Sequence, residues 1–325
     1  MEEGILEING NQQPYQQVEL EFLDGREKGK TIQIKHGEIS LLQNHEKVKK
    51  GETVIVNEIT GPDGRPLYLI TEHYRFPPIL GILIFFAMVV IIFGRWRGLT
   101  SLLSLGLTIL VLMKFIVPKI ISGSDPIIIT LLGSLMITVL TIYLAHGFRK
   151  RSTVALVGTL TTLSLAAILA WIFVHLAKLS GVGTEEALYL QFGSTATLNL
   201  KGLLLGGIII GALGVLDDIT TGQAACVDEL KQANPALTWR ELYHRGISVG
   251  REHIASLVNT LVLAYAGASF PLFLLFSTQA KQPLWTILNT EFIVEEIIRT
   301  LVGSIALILA VPITTFLAAL SFSKK

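Results

Sequence analysis

Cysteine is almost absent. The one thiol in 325 residues, Cys226, excludes an internal disulfide framework and cannot by itself build a thiolate metal site. It reads as a small packing residue. Charge is scarce as well: 16% of residues are charged, the formal net charge is +1, and no basic stripe runs along the chain, which excludes nucleic acid as a main partner. The opening MEEGILEINGNQQPYQQVEL carries acids and amides where a secretory signal peptide would carry a basic stretch and then an apolar one. No H-E-x-x-H and no G-x-x-x-x-G-K-[ST] occur, so any pumping would draw on an ion gradient or a partner ATPase.

What the chain does have is apolar sequence. Hydrophobic residues make up 51%, mean hydropathy is +0.59, and both concentrate beyond about residue 76. Residues 1–74 differ. QQVELEF, KTIQIK and ETVIVNEI alternate polar and apolar positions and favour Val, Ile and Thr, as half-buried strands do. DGREKGK (Asp24–Lys30) and TGPDGRP (Thr60–Pro66) supply turn chemistry between them. The pattern predicts a small antiparallel all-β domain over 1–75, OB-like or another compact barrel. His36, His45 and His73 are scattered singly in it and do not suggest a metal site.

From Phe76 the pattern is that of a polytopic α-helical membrane protein, a bundle over 76–325. Uncharged or nearly uncharged runs at 76–93, 98–117, 126–145, 153–176, 202–216, 254–276 and 301–322 predict about seven spans, with 184–198 as a short outer or re-entrant helix and 217–253 as a loop. Basic residues orient them. Arg95, Arg97, Arg149–Arg151, Lys231, Arg240, Arg245, Arg251, Lys324 and Lys325 fall on one side, which the positive-inside rule makes cytoplasmic. Lys119, Lys178, Lys201, Lys281 and Arg299 fall on the other, among Asp125, Glu185, Glu186, Glu291, Glu295 and Glu296. The β-domain then faces outward and needs an export signal, so a signal-anchor is expected ahead of residue 1.

The fifth run is short. Lys201 to Asp217 covers only about 24 Å of helix, against a hydrocarbon core of about 30 Å. Asp217 and Asp218 are therefore expected at the cytoplasmic edge of the core, with Thr220, Thr221 and Gln223 just behind. An unpaired carboxylate there costs several kcal/mol, so a partner is expected. The start of the sixth span offers Arg251, His253, Ser256 and Asn259, on overlapping helical stripes. Such a cluster suits a hard divalent cation such as Mg²⁺ or Mn²⁺, a proton, or a polar substrate. It equally suits an Asp–Arg brace that fixes how two helices pack. Gly202/Gly206 and Gly207/Gly211 stand at close-packing spacing, Gly214 follows, and Pro312 sits mid-span as a candidate kink. Thr238-Trp239-Arg240-Glu241 reads as a capping box that starts a short surface helix through about Gly246.

GALGVLDDITTGQAACVDEL (211–230) and WRELYHRGISVGREHIASLVNTLVLAYAGASFPLFLLF (239–276) resemble the signature region of the YibE/F family of bacterial multi-pass membrane proteins, and the β-rich head and preceding spans fit its layout. Asp217-Asp218-Ile219-Thr220 matches the family's D-D-[IV]-T doublet. Many relatives begin with a signal-anchor span, which residues 1–20 do not contain. The resemblance implies a helical bundle and no particular substrate.

Three function classes stay open at this level. A transporter or permease for an ion or small polar solute would use the polar site of spans five and six. A scaffold or assembly factor would bind a protein partner through the outer β-domain, alone or as an oligomer in the lipid bilayer. A membrane-embedded metal-dependent enzyme would use the two acids as ligands or as an acid–base pair.

Overall fold

Val, Ile and Thr at alternate positions build the strands of the N-terminal unit. In the computed structural model β1 (Glu2–Ile8), β2 (Asn11–Glu21) and β3 (Thr31–His36) form an antiparallel sheet in that order, and β4 (Val54–Thr60) pairs with β5 (Pro66–His73). Residues 2–323 are described apart from 9–10, 39–41, 44–45, 62–63, 65, 194–197, 272–273, 275–277 and 279–282. The chain divides into two units, residues 1–89 and 90–325.

Val18 and Ile34 face each other across β2 and β3 and, with Leu42 and Val48, make a small core. Gln16 is buried beside them and stays satisfied, donating to the Val48 carbonyl and accepting from the Val48 N–H at 2.9 Å. Both expected hairpins are present. Among the described residues the strands form two separate sheets where a barrel was expected, because β3 and β4 lie in different ladders. His45 lies outside the described residues.

Nine helices follow among the described residues. α1 (Phe76–Val111) takes in the first expected span and most of the second, and its backbone leaves helical geometry at Arg95, with φ 50° and ψ −133°. Only glycine fits at position 98 behind that break, since a Cβ would collide with the Val90 carbonyl. A π turn over Leu112–Ile116 leads into α2 (Val117–Ile121), where Pro118 lacks the N–H a continuing α-helix would use. α3 (Pro126–His146) starts at Asp125, whose side chain accepts from the N–H groups of Ile127 and Ile128. α4 (Lys150–Leu176) follows, then α5 (Glu185–Phe192), the short helix expected near 184–198. α6 (Leu200–Ala233), α7 (Trp239–Ala268), α8 (Leu284–Leu288) and α9 (Glu291–Ser323) complete the order.

Five stretches are long and apolar enough to cross a membrane among the described residues: Phe76–Ile121, α3, α4, α6 and α9. They take in six of the seven expected runs. The first two spans form one 46-residue stretch bent at Arg95. The expected sixth span begins in α7, which is not among the five over its described residues, and its far end, 272–276, lies largely outside the described residues.

The larger correction concerns 217–253. Those residues are not a loop: α6 runs through the acids to Ala233, and only 234–238 separate it from α7. The capping box is present, with the Thr238 N–H and hydroxyl both donating to Glu241 at 2.8 Å. These bonds hold the Glu241 carboxyl below its ordinary value. The helix it starts does not stop near Gly246. Gly246 and Gly250 lie inside α7 and bring its backbone against α9, so they serve contact rather than termination. Pro312 likewise sits within α9 without ending it.

α6 is the centre of the helical unit. Leu205, Ile208, Ile209 and Leu216 on it, Ala166 and Ala170 on α4, and Val302, Leu307 and Ala310 on α9 are buried in one cluster. Large apolar side chains such as Ile92, Phe93 and Leu103 instead point outward, as lipid-facing residues do. The glycine pattern divides. A Cβ at Gly206 would lie 2.7 Å from the Thr130 hydroxyl of α3, whereas Gly207 and Gly214 have nothing within 4 Å.

Gly250 should therefore be intolerant and Gly207 tolerant. Gly250→Ala places a Cβ against Val311 and is expected to cost about 1–3 kcal/mol as overpacking. Gly207→Ala is expected to be neutral or stabilising by up to about 1 kcal/mol through helix propensity. Thermal or denaturant melts of the purified protein in detergent check both.

Candidate functional site

α6 has 34 residues, about 51 Å at ~1.5 Å per residue, and Asp217 stands near its middle. The acids therefore do not mark a helix end. The local sequence explains why the helix continues: Thr221 donates its hydroxyl back to the Asp217 carbonyl at 2.8 Å and to that of Asp218 at 3.1 Å. Local hydroxyl bonds of this kind keep polar side chains compatible with helical backbone inside an apolar bundle.

From Asp217 the side chains radiate to different helices. Asp217 Oδ2 accepts from the Thr141 hydroxyl of α3 at 2.7 Å. Thr220 meets Thr159 of α4, hydroxyl to hydroxyl, at 2.6 Å. Gln223 donates to the Gly246 carbonyl of α7 and to the Thr315 hydroxyl of α9, both at 2.7 Å. Thr315 in turn donates to the Val311 carbonyl at 2.6 Å. Thr220 and Gln223 are buried. Around them run further hydroxyls on apolar helices: Thr130, Ser134 and Thr138 on α3, Thr162 on α4 and Thr314 on α9. Asp217 Oδ1 and the hydroxyls of Ser134 and Thr314 are buried and have no hydrogen-bond partner among the described residues.

Asp218 points elsewhere. It is exposed and lines a pocket of about 380 Å³ with Arg97, His146, Arg151, Ser152 and Glu229 among its walls. The cluster expected from the sequence is thus divided in space. Arg251, His253, Ser256 and Asn259 lie on exposed positions of α7, and among the described residues no hydrogen bond or ion pair joins any of them to Asp217 or Asp218. The physical reason is helix phase: α6 turns Gln223 toward α7 while Asp217 faces α3.

Several residues escaped the sequence reading. Thr141, Thr159 and Thr315 supply the partners of α6. The signal was there in the spacing of Thr130, Ser134, Thr138 and Thr141, one hydroxyl per helical turn on an otherwise apolar helix. Glu295, read as an outer-loop acid, is buried on α9 and accepts from the Gly183 N–H at 3.1 Å. Glu291 beside it accepts from the Ser180 N–H and hydroxyl at 2.6 Å and from the Gly181 N–H at 2.9 Å. These bonds tie the start of α9 to the segment after α4.

Gly246-Ile247-Ser248-Val249-Gly250 spells the letters of a hydrolase nucleophile motif. It lies within α7, not on a strand-to-helix turn, and its glycines face Thr315 and Val311. Among the described residues no group of three or more His, Cys, Asp or Glu is arranged to hold a metal ion. The donors at the centre are one carboxylate and a row of hydroxyls.

Five long apolar stretches, four of them (α3, α4, α6 and α9) meeting at a polar centre, define a multi-helix membrane-embedded protein. The chain belongs to the YibE/F family: the description "YibE/F-like protein" matches residues 82–324. Neither a curated protein nor a solved structure matches it.

The division of the expected cluster has a direct test. Gln223→Leu removes the donor to the Thr315 hydroxyl, which keeps its bond to Val311, and removes the link to α7, and should cost about 1–3 kcal/mol. Arg251→Ala and His253→Ala, at exposed positions, should each stay within about 0.5 kcal/mol of the parent. Melting curves of the three variants side by side read the difference.

Proposed function

We propose that the protein moves an ion or a small polar solute across the membrane, with Asp217 as the group that meets the moving charge. The observation that carries this reading is the unmatched half of that carboxylate: Oδ2 has Thr141, while Oδ1 is buried with no partner among the described residues. A carboxylate at membrane depth without a full set of partners is costly, and such residues commonly sit on ion or proton pathways. A cation or a proton on Oδ1 would complete it. The hydroxyls of α3, α4 and α9 supply neutral oxygen ligands of the kind hard cations accept.

In this reading the candidate residues divide their tasks. Asp217 takes the charge. Asp218, exposed one residue on, draws cations toward it from the pocket it lines. Thr220 and Gln223 hold α6 in register with its neighbours, and Thr221 bonds back to the backbone of α6 itself. Arg251, His253, Ser256 and Asn259 form the exposed polar side of α7, toward solvent or a partner. The basic turns at Arg95–Arg97 and Arg149–Arg151 lie on the cytoplasmic side, and the β unit lies outside.

The test is flux. Proteoliposomes holding the parent or Asp217→Asn are assayed for uptake of a panel of monovalent and divalent cations and for proton movement. The parent should carry one of them, and Asp217→Asn should lower that flux by about tenfold or more, equal to at least ~1.4 kcal/mol in the barrier. Asp218→Asn should have the smaller effect. Equal flux from parent and Asp217→Asn for the ion that moves would contradict the assignment.

A further inference from the structure

The groove beside Asp218 holds a second constellation. Arg97, from the second part of α1, His146 at the end of α3, and Arg151 and Ser152 in the first turn of α4 line it opposite α6, and Arg149 joins Arg97, His146 and Arg151 in an adjoining pocket of about 250 Å³. α4 begins without a side-chain cap: Arg149 holds the N-cap position and makes no capping hydrogen bond. The first N–H groups of a helix have no partners within it, and its N-terminus carries partial positive charge.

Ser152 is the independent sign that something belongs there. Its residue is 2% exposed, its Oγ has no hydrogen-bond partner among the described residues, and it lines the groove. A helical serine normally donates to the carbonyl four residues back. For Ser152 that residue is Phe148, which precedes the helix, so its hydroxyl lacks the usual local acceptor.

Acids face the same groove. Asp218 is exposed, and Glu229 lies 3.9 Å from Arg151 with its side chain 70% exposed, a loose pair of the kind that contributes little. Cations and acids together favour a ligand that carries both charges over a bare polyanion. Trp96 and Phe148 stand exposed at the same end of the helices, and Tyr143 stacks on Phe148 at 4.5 Å. Aromatic side chains so placed are typical of the headgroup level of a bilayer.

We propose that this groove binds a phosphate ester that also carries an amine, the chemistry of a phosphoethanolamine headgroup or of its soluble counterpart. The phosphate is held by the N-terminus of α4, the Ser152 hydroxyl and the Arg97 and Arg151 guanidinium groups, and the ammonium is held by the acids. The site shares Asp218 with the transport reading but does not include Asp217, which does not line it.

The test uses the full chain purified in detergent and reads the melting temperature. Separate samples receive phosphoethanolamine, inorganic phosphate, ethanolamine, or micelles doped with phosphatidylethanolamine or phosphatidylcholine. Phosphoethanolamine or phosphatidylethanolamine should raise the melting temperature by several degrees, and the arm that responds identifies the soluble or the lipid source. Each variant is compared with its own unliganded melt. Arg97→Gln/Arg151→Gln should abolish the shift, Ser152→Ala should reduce it, and Arg151→Lys should retain part of it. Asp217→Asn should leave it whole, so failure of the transport reading and failure of this one are separable. No shift in either arm, or one unchanged in the double variant, would overturn the site. A response to inorganic phosphate or phosphatidylcholine as large as that to the amine-bearing ligand would overturn the role given to the ammonium.

Discussion

Within two turns of α6, three polar side chains are each committed to a different neighbour, and the helical unit depends on that commitment. Asp217 reaches α3, Thr220 reaches α4, and Gln223 reaches both α7 and α9. In an apolar bundle each of these groups is costly if left alone, so the register of five helices is set by the need to satisfy them together. Apolar packing around Leu216, Val302 and Leu307 contributes area but little choice of register. Close glycines complete the arrangement, since Gly246 and Gly250 allow α7 to come near enough for the Gln223 bridge.

Among the described residues the satisfaction is incomplete at the one carboxylate of this centre, and function is proposed there. Gln223 and Thr220 have partners and act as fixed joints. Among the described residues Asp217 has a partner for one oxygen only, in a setting where the other would gain by binding a cation or a proton. A bundle held at fixed joints next to an unmatched charge can couple binding to a shift of one helix. Such a coupling extends only as far as the bound species discriminates between the two arrangements. The groove by α4 adds a contact of a different kind at the end of the same helices, where an unpaired serine, an uncapped helix start and two arginines converge.

Much of the architecture was legible in the residues. Strand alternation and turn chemistry gave the β hairpins, long apolar runs gave the membrane helices, and Thr238 with Glu241 gave the start of α7 to the residue. The doublet was legible as unusual. Its setting was not, because charge was taken to end a span, whereas α6 continues through it with Asp217 partnered by the Thr141 hydroxyl of α3. Gly246 and Gly250 misled in the same way, since a glycine that permits close contact and one that ends a helix look alike in sequence. Arg251 and His253 appeared as partners because two consecutive spans joined on one side of the membrane bring both polar ends to the same face. Helix phase, which depends on how the long helices cross, decided for Thr141 instead.

The most direct measurement is a double-mutant cycle on the Thr141–Asp217 contact, using Thr141→Val, Asp217→Asn and the pair, with unfolding followed in lipid or detergent. The account predicts a coupling free energy of roughly 1–3 kcal/mol, because a charged acceptor and its one donor are removed from a buried site. A coupling within about 0.3–0.5 kcal/mol of zero, the range found for independent residues, would mean that the two side chains do not meet. The placement of Asp217 at the centre of the bundle would then be wrong.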